Sequence, residues 1–344
     1  MTRVACTISV CAAALLAGGL LTARVASADE PCSRTINNID EARAALNTVA
    51  PGDMLCFFGG DLANVDLTLT RSGTAKDPIN LVSDGHITVH QLHVLADHVT
   101  IQGFTVVGGG ELLLAGTSIV AQKNTVHDTQ RGGIICASCT DSTIESNTVT
   151  HAATTGISIS GQRITVRENR VSETVAGGDG DADGMRFFGN GLRIISNTIQ
   201  DISGGHGFAG GSPGAAHPDC FQTFDTGHSA TFDVAIVGNA CQNVAENCLI
   251  ATGDESGNSE APAGSPSITF IGNDCTTDGE QAVKMRRWPN VDVRKNHLVG
   301  PNLKRAVLIT NSSTHCTAKD NTTTNGVPPV EIDDSSRPGF NSPF

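Results

Sequence analysis

A short run of alternating apolar and polar residues, an asparagine, and a second such run recur along most of this chain. The units read Ile119-Val-Ala-Gln-Lys-Asn124-Thr-Val, Ile144-Glu-Ser-Asn147-Thr-Val and Val166-Arg-Glu-Asn169-Arg-Val. They continue through Ile195-Ser-Asn197-Thr-Ile, Ile236-Val-Gly-Asn239, Phe270-Ile-Gly-Asn273, Val293-Arg-Lys-Asn296-His-Leu and Ala318-Lys-Asp-Asn321. Successive asparagines are 23, 22, 28, 42, 34, 23 and 25 residues apart. A floor of 22–23 with excess in the middle describes one unit repeated, with loops inserted between copies. Period-two alternation marks each run as a half-buried strand. One such coil cannot bury its own inner face, so coils must stack. Asparagine suits the bend between two strands because it tolerates a left-handed conformation and bonds neighbouring backbone. Stacked at about 4.8 Å, its amides are placed to bond one another along the column.

The start of the chain agrees. Asp40-Glu-Ala-Arg-Ala-Ala-Leu46 reads as a short amphipathic helix with an acidic first turn, suited to covering the open end of a stack. It leads into Pro51-Gly-Asp-Met-Leu-Cys56 and then Arg71-Ser-Gly-Thr-Ala-Lys-Asp-Pro78-Ile. In this order the chain resembles pectate lyases and related alginate or chondroitin lyases. The resemblance implies an all-β, right-handed, single-stranded parallel β-helix of roughly 22–25 residues per coil with an N-terminal capping helix. It is specific for fold more than for chemistry, since hydrolases and other enzymes share the architecture. The expected organisation is a leader over residues 1–28, a β-helix over 29–321 whose cap occupies 29–58, and a polar tail over 322–344.

Arg3, the apolar run Ile8 to Leu21 and the small-residue site Ala26-Ser-Ala28 have the form of a secretory signal peptide. The chain is therefore expected outside the cell, with no membrane span after cleavage. Losing Arg3 and Arg24 takes the formal charge from -13 to -15, which excludes nucleic acid as the partner. A polyanionic substrate needs a cation or a local basic cluster in such a chain. Tyrosine is absent and one tryptophan is present, so a sugar groove here does not rely mainly on stacked aromatics. A polysaccharide substrate and a monomeric enzyme are expected.

Aligning the coils on their asparagines brings a second set of strands into register: Asp183-Gly-Met-Arg186, Asp219-Cys-Phe-Gln222, Asn247-Cys-Leu-Ile250, Gln281-Ala-Val-Lys284 and Arg305-Ala-Val-Leu308. One column carries Asp183, Asp219, Asn247 and Gln281; its neighbour carries Arg186, Gln222 and Lys284. Carboxyls on adjacent coils share a proton, bind a cation, or divide acid and base roles. The bland alternative is a solvated strand edge, but long insertions border these coils, and loops on a repeat build its binding face.

Several readings compete. In the favoured one, calcium assists β-elimination of a uronic-acid-containing glycan, the order of Asp, Asp and Lys coils resembling calcium-dependent pectate lyases. Asp183 and Asp219 then hold the metal with Asp179 and Asp181, whose Asp179-Gly-Asp181-Ala-Asp183-Gly run has the DxDxDG form of a calcium loop. Lys284 is the base, and Arg186 or Arg286 neutralises the acid. In the second, Asp183 and Asp219 are the acid and base of an inverting glycosidase. This resembles polygalacturonases, although Gly205-His206-Gly207 precedes Asp219 where the family pattern has it follow. His217 is a candidate proton shuttle beside both. Gln222, Asn247, Gln281 and Trp288 are candidate substrate contacts. A third reading is a non-catalytic glycan-binding or adhesion scaffold.

Nine cysteines remain after Cys6 and Cys11 leave with the leader, an odd number in an oxidising compartment. Cys32 with Cys56 is placed to fasten the cap, and Cys136 with Cys139 to form a local bridge. Cys220 and Cys248 fall at equivalent positions on adjacent coils, as do Cys241 and Cys275, which suggests staples along the columns. Cys316 is the expected leftover.

Overall fold

A computed structural model of the chain describes residues 31–59, 62–176, 181–203, 217–259, 261–262 and 264–341. Each repeat lays down three strands, and each strand pairs in parallel with its counterparts one coil away. Ile119–Gln122 lies between Val99–Gln102 and Thr143–Glu145. Thr125–Thr129 lies between Thr105–Gly109 and Thr148–Ala152. Ile134–Thr140 lies between Leu112–Ala115 and Thr154–Gln162. Alternation sends every second side chain into the lumen. On the second face Val106, Val126, Val149, Val171, Ile199, Cys241, Cys275 and Leu298 form one such buried column. Burying a valine or isoleucine this fully contributes about 1.5–3 kcal/mol each. This is the parallel β-helix that the repeat predicts.

The asparagine ladder forms as expected. Asn169 donates its backbone N–H and its Nδ2 to Asn197 Oδ1, both at 3.0 Å. Asn197 does the same to Asn239 Oδ1, at 2.8 and 2.9 Å, and its Nδ2 also reaches back to Val166 O at 3.0 Å. The pattern runs from Asn124 to Asn321. The left-handed residue at the bend, however, is the one before each asparagine. Lys123, Ser146, Glu168, Ser196, Lys295 and Asp320 have φ between 54° and 57°, and Gly238 and Gly272 have 63° and 66°. The preceding residue turns the chain so that the asparagine side chain enters the lumen, where its amide is satisfied by three coils.

A column of small residues explains the disulfides. An added Cβ on Gly156 would lie 2.3 Å from Val171 Cγ1, and one on Gly184 would lie 2.5 Å from Ile199 Cγ2. These pairs cross the lumen from the third face of one coil to the second face of the next. One coil further on, Cys220 bonds Cys241, and then Cys248 bonds Cys275, each with Cα atoms 6.2 Å apart. The expected staples along the columns are therefore corrected. Both columns point across the lumen at each other, so the sulfurs meet across it, replacing a glycine and its branched partner. Cys32–Cys56 and Cys136–Cys139 form as expected, and Cys316 is free and buried.

The cap is the helix Ile39–Thr48. Asn38 Oδ1 accepts the Glu41 N–H at 3.0 Å while Glu41 Oε2 accepts the Asn37 N–H at 2.7 Å, a reciprocal cap. Ala42, Ala45 and Leu46 bury its inner side. At the other end, residues after Asn321, expected as a tail, continue the stack: Val330–Ile332 pairs with Val307–Ile309, and Asn341 bridges to Thr317. The expected leader lies outside the described residues. No helix among those described is long and apolar enough to cross a membrane.

Candidate functional site

The third face carries the candidate residues. Met185 and Phe187 point into the lumen, so Arg186 and Phe188 point out. Arg186 is in register with Gln222, Gln222 with Ile250, and Ile250 with Lys284. At about 4.8 Å per coil, Arg186 and Lys284 stand roughly 14 Å apart at the backbone. A second outward column starts with Phe188 and Phe224, whose rings meet edge-on with centroids 5.0 Å apart. It continues through Thr252 and Arg286.

Beside these columns runs a second polar ladder, of opposite polarity to the first. Asp219 N–H donates to Asp183 Oδ1 at 3.0 Å, and Asn247 donates its N–H and Nδ2 to Asp219 Oδ1, both at 2.7 Å. Gln281 Nε2 donates to Asn247 Oδ1 at 3.2 Å, and Arg305 Nη1 to Gln281 Oε1 at 3.3 Å. At the other end, Arg186 Nε donates to Asp183 Oδ2 at 2.6 Å and Nη2 to Asp181 Oδ2 at 2.5 Å. The sequence thus brings Asp181, Asp183, Arg186, Asp219, Asn247 and Gln281 into one connected array.

Asp183 and Asp219 are both fully buried, with 0% exposure. Burial raises the Asp183 pKa to about 7; the Arg186 charge opposes the rise and Asp181 adds to it. Burial and then the Asp183 charge push Asp219 well above the ordinary carboxylate range, against the hydrogen bonds from Asn247. Asp219 Oδ2 is buried without a hydrogen-bond partner. Of the two carboxyls, Asp183 is the one whose ionisation the Arg186 charge favours.

A wall of two segments stands over the Phe188–Phe224 column. Buried Asp225 accepts the backbone N–H groups of Glu255, Ser256 and Gly257 at 3.0, 2.6 and 2.7 Å. Burial alone would raise the Asp225 pKa, but these donors hold it below the usual range. Asp225 O also accepts the His228 N–H at 3.1 Å. His228 is exposed and lies flat on Phe188, with centroids 3.7 Å apart and planes 7° from parallel; it meets Phe224 edge-on. Asp254 in the facing segment pairs with Arg286 at 3.1 Å.

Several expectations change in this setting. Trp288 is fully buried in the core, so it offers no sugar platform. It lies beneath the Arg286-Arg287 turn because Ser313 and the last coils close over it. Asn247 is equally buried and serves the ladder rather than a ligand. His217 is exposed, two residues before Asp219 and ahead of the strand Phe221–Phe224. Asp179 and His206 lie outside the described residues. Calcium wants about six to eight oxygen ligands. Asp183 Oδ2 already faces the Arg186 guanidinium, and Asp183 Oδ1 and Asp219 Oδ1 already accept N–H donors. The described donors therefore do not fit a calcium ion at the aspartate pair. His228, Phe188, Phe224 and Asp225 were missed, because none belongs to the repeating strand signature. For His228, Phe224 and Asp225 the one sequence signal is the irregular stretch between Gln222 and Asn239, within the longest coil spacing; Phe188 has none.

Residues 79–199 and 112–323 match the family model described as a right handed beta helix region. No curated protein sequence matches. The chain shares its fold with an alginate lyase from Paenibacillus sp. str. FPU-7, with a TM-score of 0.53 at 15% identity over 88% of this chain and 98% of the other. The Agl-KA catalytic domain gives a TM-score of 0.51 at 12% identity, over 88% of this chain and 64% of that domain. The pectate lyase Pel9A gives 0.40 at 16% identity, over 87% and 73%. At such identities the first two likenesses establish the fold alone.

Proposed function

We propose that this chain, which belongs to the right-handed β-helix family, is an exported enzyme that cleaves a uronic-acid-containing polysaccharide by β-elimination on its third face. The observation that carries the reading is the placement of Arg186. Its guanidinium is held at two points, by Asp183 and Asp181, and stands in one outward column with Gln222 and Lys284. Removing a proton α to a carboxylate requires that the developing enediolate be neutralised, which a fixed guanidinium supplies without reorganising. Lys284 and Arg286 extend the positive charge along the face of a chain whose net charge is -13, the local basic cluster a polyanion needs. Four disulfides among the described residues and the signal-peptide form of residues 1–28 support export. Hydrolysis by Asp183 and Asp219 is the weaker reading, because neither carboxyl reaches the surface that a glycosidic oxygen must approach.

The test is a panel of pectate, alginate, glucuronan and neutral glycans, followed both by ultraviolet absorbance of the unsaturated product and by reducing ends. Absorbance appearing with an acidic glycan, and lost in R186Q, is the expected result. Reducing ends without absorbance would replace elimination by hydrolysis.

A further inference from the structure

We propose that His228 is the catalytic base of this elimination, set in place by Phe188 and acting beside Arg186. The inference rests on the elimination reading above and adds to it the group that moves the proton.

A base must be fixed, accessible and unprotonated. His228 is fixed from three sides: flat on Phe188, edge-on to Phe224, and tied through its own N–H to Asp225 O. The turn that carries it is pinned again where Gly227 N–H meets Glu255 Oε2 at 2.9 Å. The imidazole is exposed, and its ring nitrogens make no hydrogen bond among the described residues. Phe188 is two residues from Arg186 on the same strand face, so the imidazole and the guanidinium border the same space. Burial against the aromatic pair, and then the Arg186 charge, lower the His228 pKa below its ordinary value. The charged groups around it are Arg186 on the strand beneath, Asp225 in its own turn, and Glu255 and Asp254 on the facing segment. Asp225 is engaged by backbone donors, and Asp254 by Arg286. Lys284, by contrast, stands roughly 14 Å along the stack from Arg186, farther than one sugar ring spans.

The step balances within the site. A ring nitrogen of His228 takes the proton from C5 of the uronate, the C5–H electron pair forms the C4=C5 bond, and the C4–O bond breaks. The leaving oxygen takes the electron pair and receives the same proton back from the imidazolium. Arg186 holds the carboxylate charge while it is delocalised.

The experiment uses the full chain and the glycan that the panel identifies. H228A and H228Q are expected to lower kcat about 10²- to 10⁴-fold with KM little changed. The rise of kcat/KM with pH, below the ordinary histidine pKa, should vanish, and added imidazole should restore part of the H228A rate. K284A is expected to raise KM and to keep the pH limb. A matching urea midpoint and circular dichroism spectrum show that the exposed turn has not unfolded the chain. Absorbance produced by H228A at close to the unaltered rate, or a pH limb lost in K284A instead, overturns the assignment of His228 alone. Reducing ends without absorbance from the unaltered chain overturn the elimination reading and the base together.

Discussion

Asp219 donates its backbone N–H to Asp183 Oδ1 at 3.0 Å, so two buried carboxyls on neighbouring coils are joined through main chain rather than through a shared ion. Both have raised pKa values, Asp183 to about 7 against an ordinary 3.8, chiefly through burial. A group whose folded pKa is raised contributes stability that is complete below its unfolded pKa and is lost as pH rises through the folded value. The contribution of Asp183 should therefore be lost between about pH 4 and pH 7, and that of Asp219 over a range that also begins near pH 4. D219N removes one titrating group and keeps an oxygen for Asn247, so its urea midpoint should fall less over that range. A midpoint with the same pH dependence in both proteins would show that Asp219 is ionised in the fold.

The first ladder predicts a different outcome. Replacing Asn197 by alanine strands the N–H of Asn169 inside the lumen and takes one partner each from Asn169 Nδ2 and Val166 O, while the backbone N–H of residue 197 keeps its bond to Asn239 Oδ1. A buried group left unpaired costs about 1–3 kcal/mol, so N197A should lower the unfolding free energy by at least that much. S196G, one residue earlier, relieves a left-handed φ of 55° and should be neutral or stabilising by up to about 1 kcal/mol. Urea titration of the two variants would reveal opposite or near-opposite effects at adjacent positions. Equal losses would mean that the bend, not the amide, carries the stability.

The contrast shows what the sequence discloses. Spacing of Asn124 to Asn321 revealed the coil, because a solenoid writes its period into the chain. The columns of Asp183 and Arg186 followed from the same register. What spacing does not contain is direction across the lumen, so Cys220 was paired with Cys248 rather than with Cys241. Nor does it contain burial at the ends of strands: Trp288 after two arginines suits a substrate contact or packing under the basic turn equally well in sequence, and the final coils cover it. His228 was invisible because its position depends on a ring stack between an insertion and a strand two residues from Arg186, which no local pattern encodes.

The lumen geometry makes the disulfide correction testable. Gly184 with Ile199 fills the space that Cys220 with Cys241 fills one coil later. C220G/C241I should keep the fold, losing about 3 kcal/mol for a crosslink of this span less what the isoleucine side chain recovers by packing. C220A/C241I should be distinctly less stable, since the extra methyl meets the isoleucine as a Cβ on Gly184 would meet Ile199 at 2.5 Å. Non-reducing peptide mapping should show Cys220 joined to Cys241 and Cys248 to Cys275. Peptides joining Cys220 to Cys248 would refute both the pairing and the substitution rule.

Asp225 ties the wall to the stack, and its removal should be felt in stability and in turnover alike. Its carboxylate accepts three backbone N–H groups from Glu255 to Gly257, and its carbonyl oxygen holds His228. Asparagine at this position keeps the shape but turns a donor toward donors, so D225N should cost about 1.5–3 kcal/mol. The folded pKa of Asp225 is depressed, so its contribution is present above the unfolded value of 3.8 and disappears as pH falls through the folded one. The destabilisation of D225N should therefore be full at neutral pH and shrink in acid. If Asp225 positions His228, the variant should also lose kcat while its circular dichroism spectrum stays unchanged, and limited proteolysis should cut first between Gly253 and Asn258. A variant that is destabilised yet retains full kcat would leave Asp225 as a fastening for the wall and separate that wall from the chemistry.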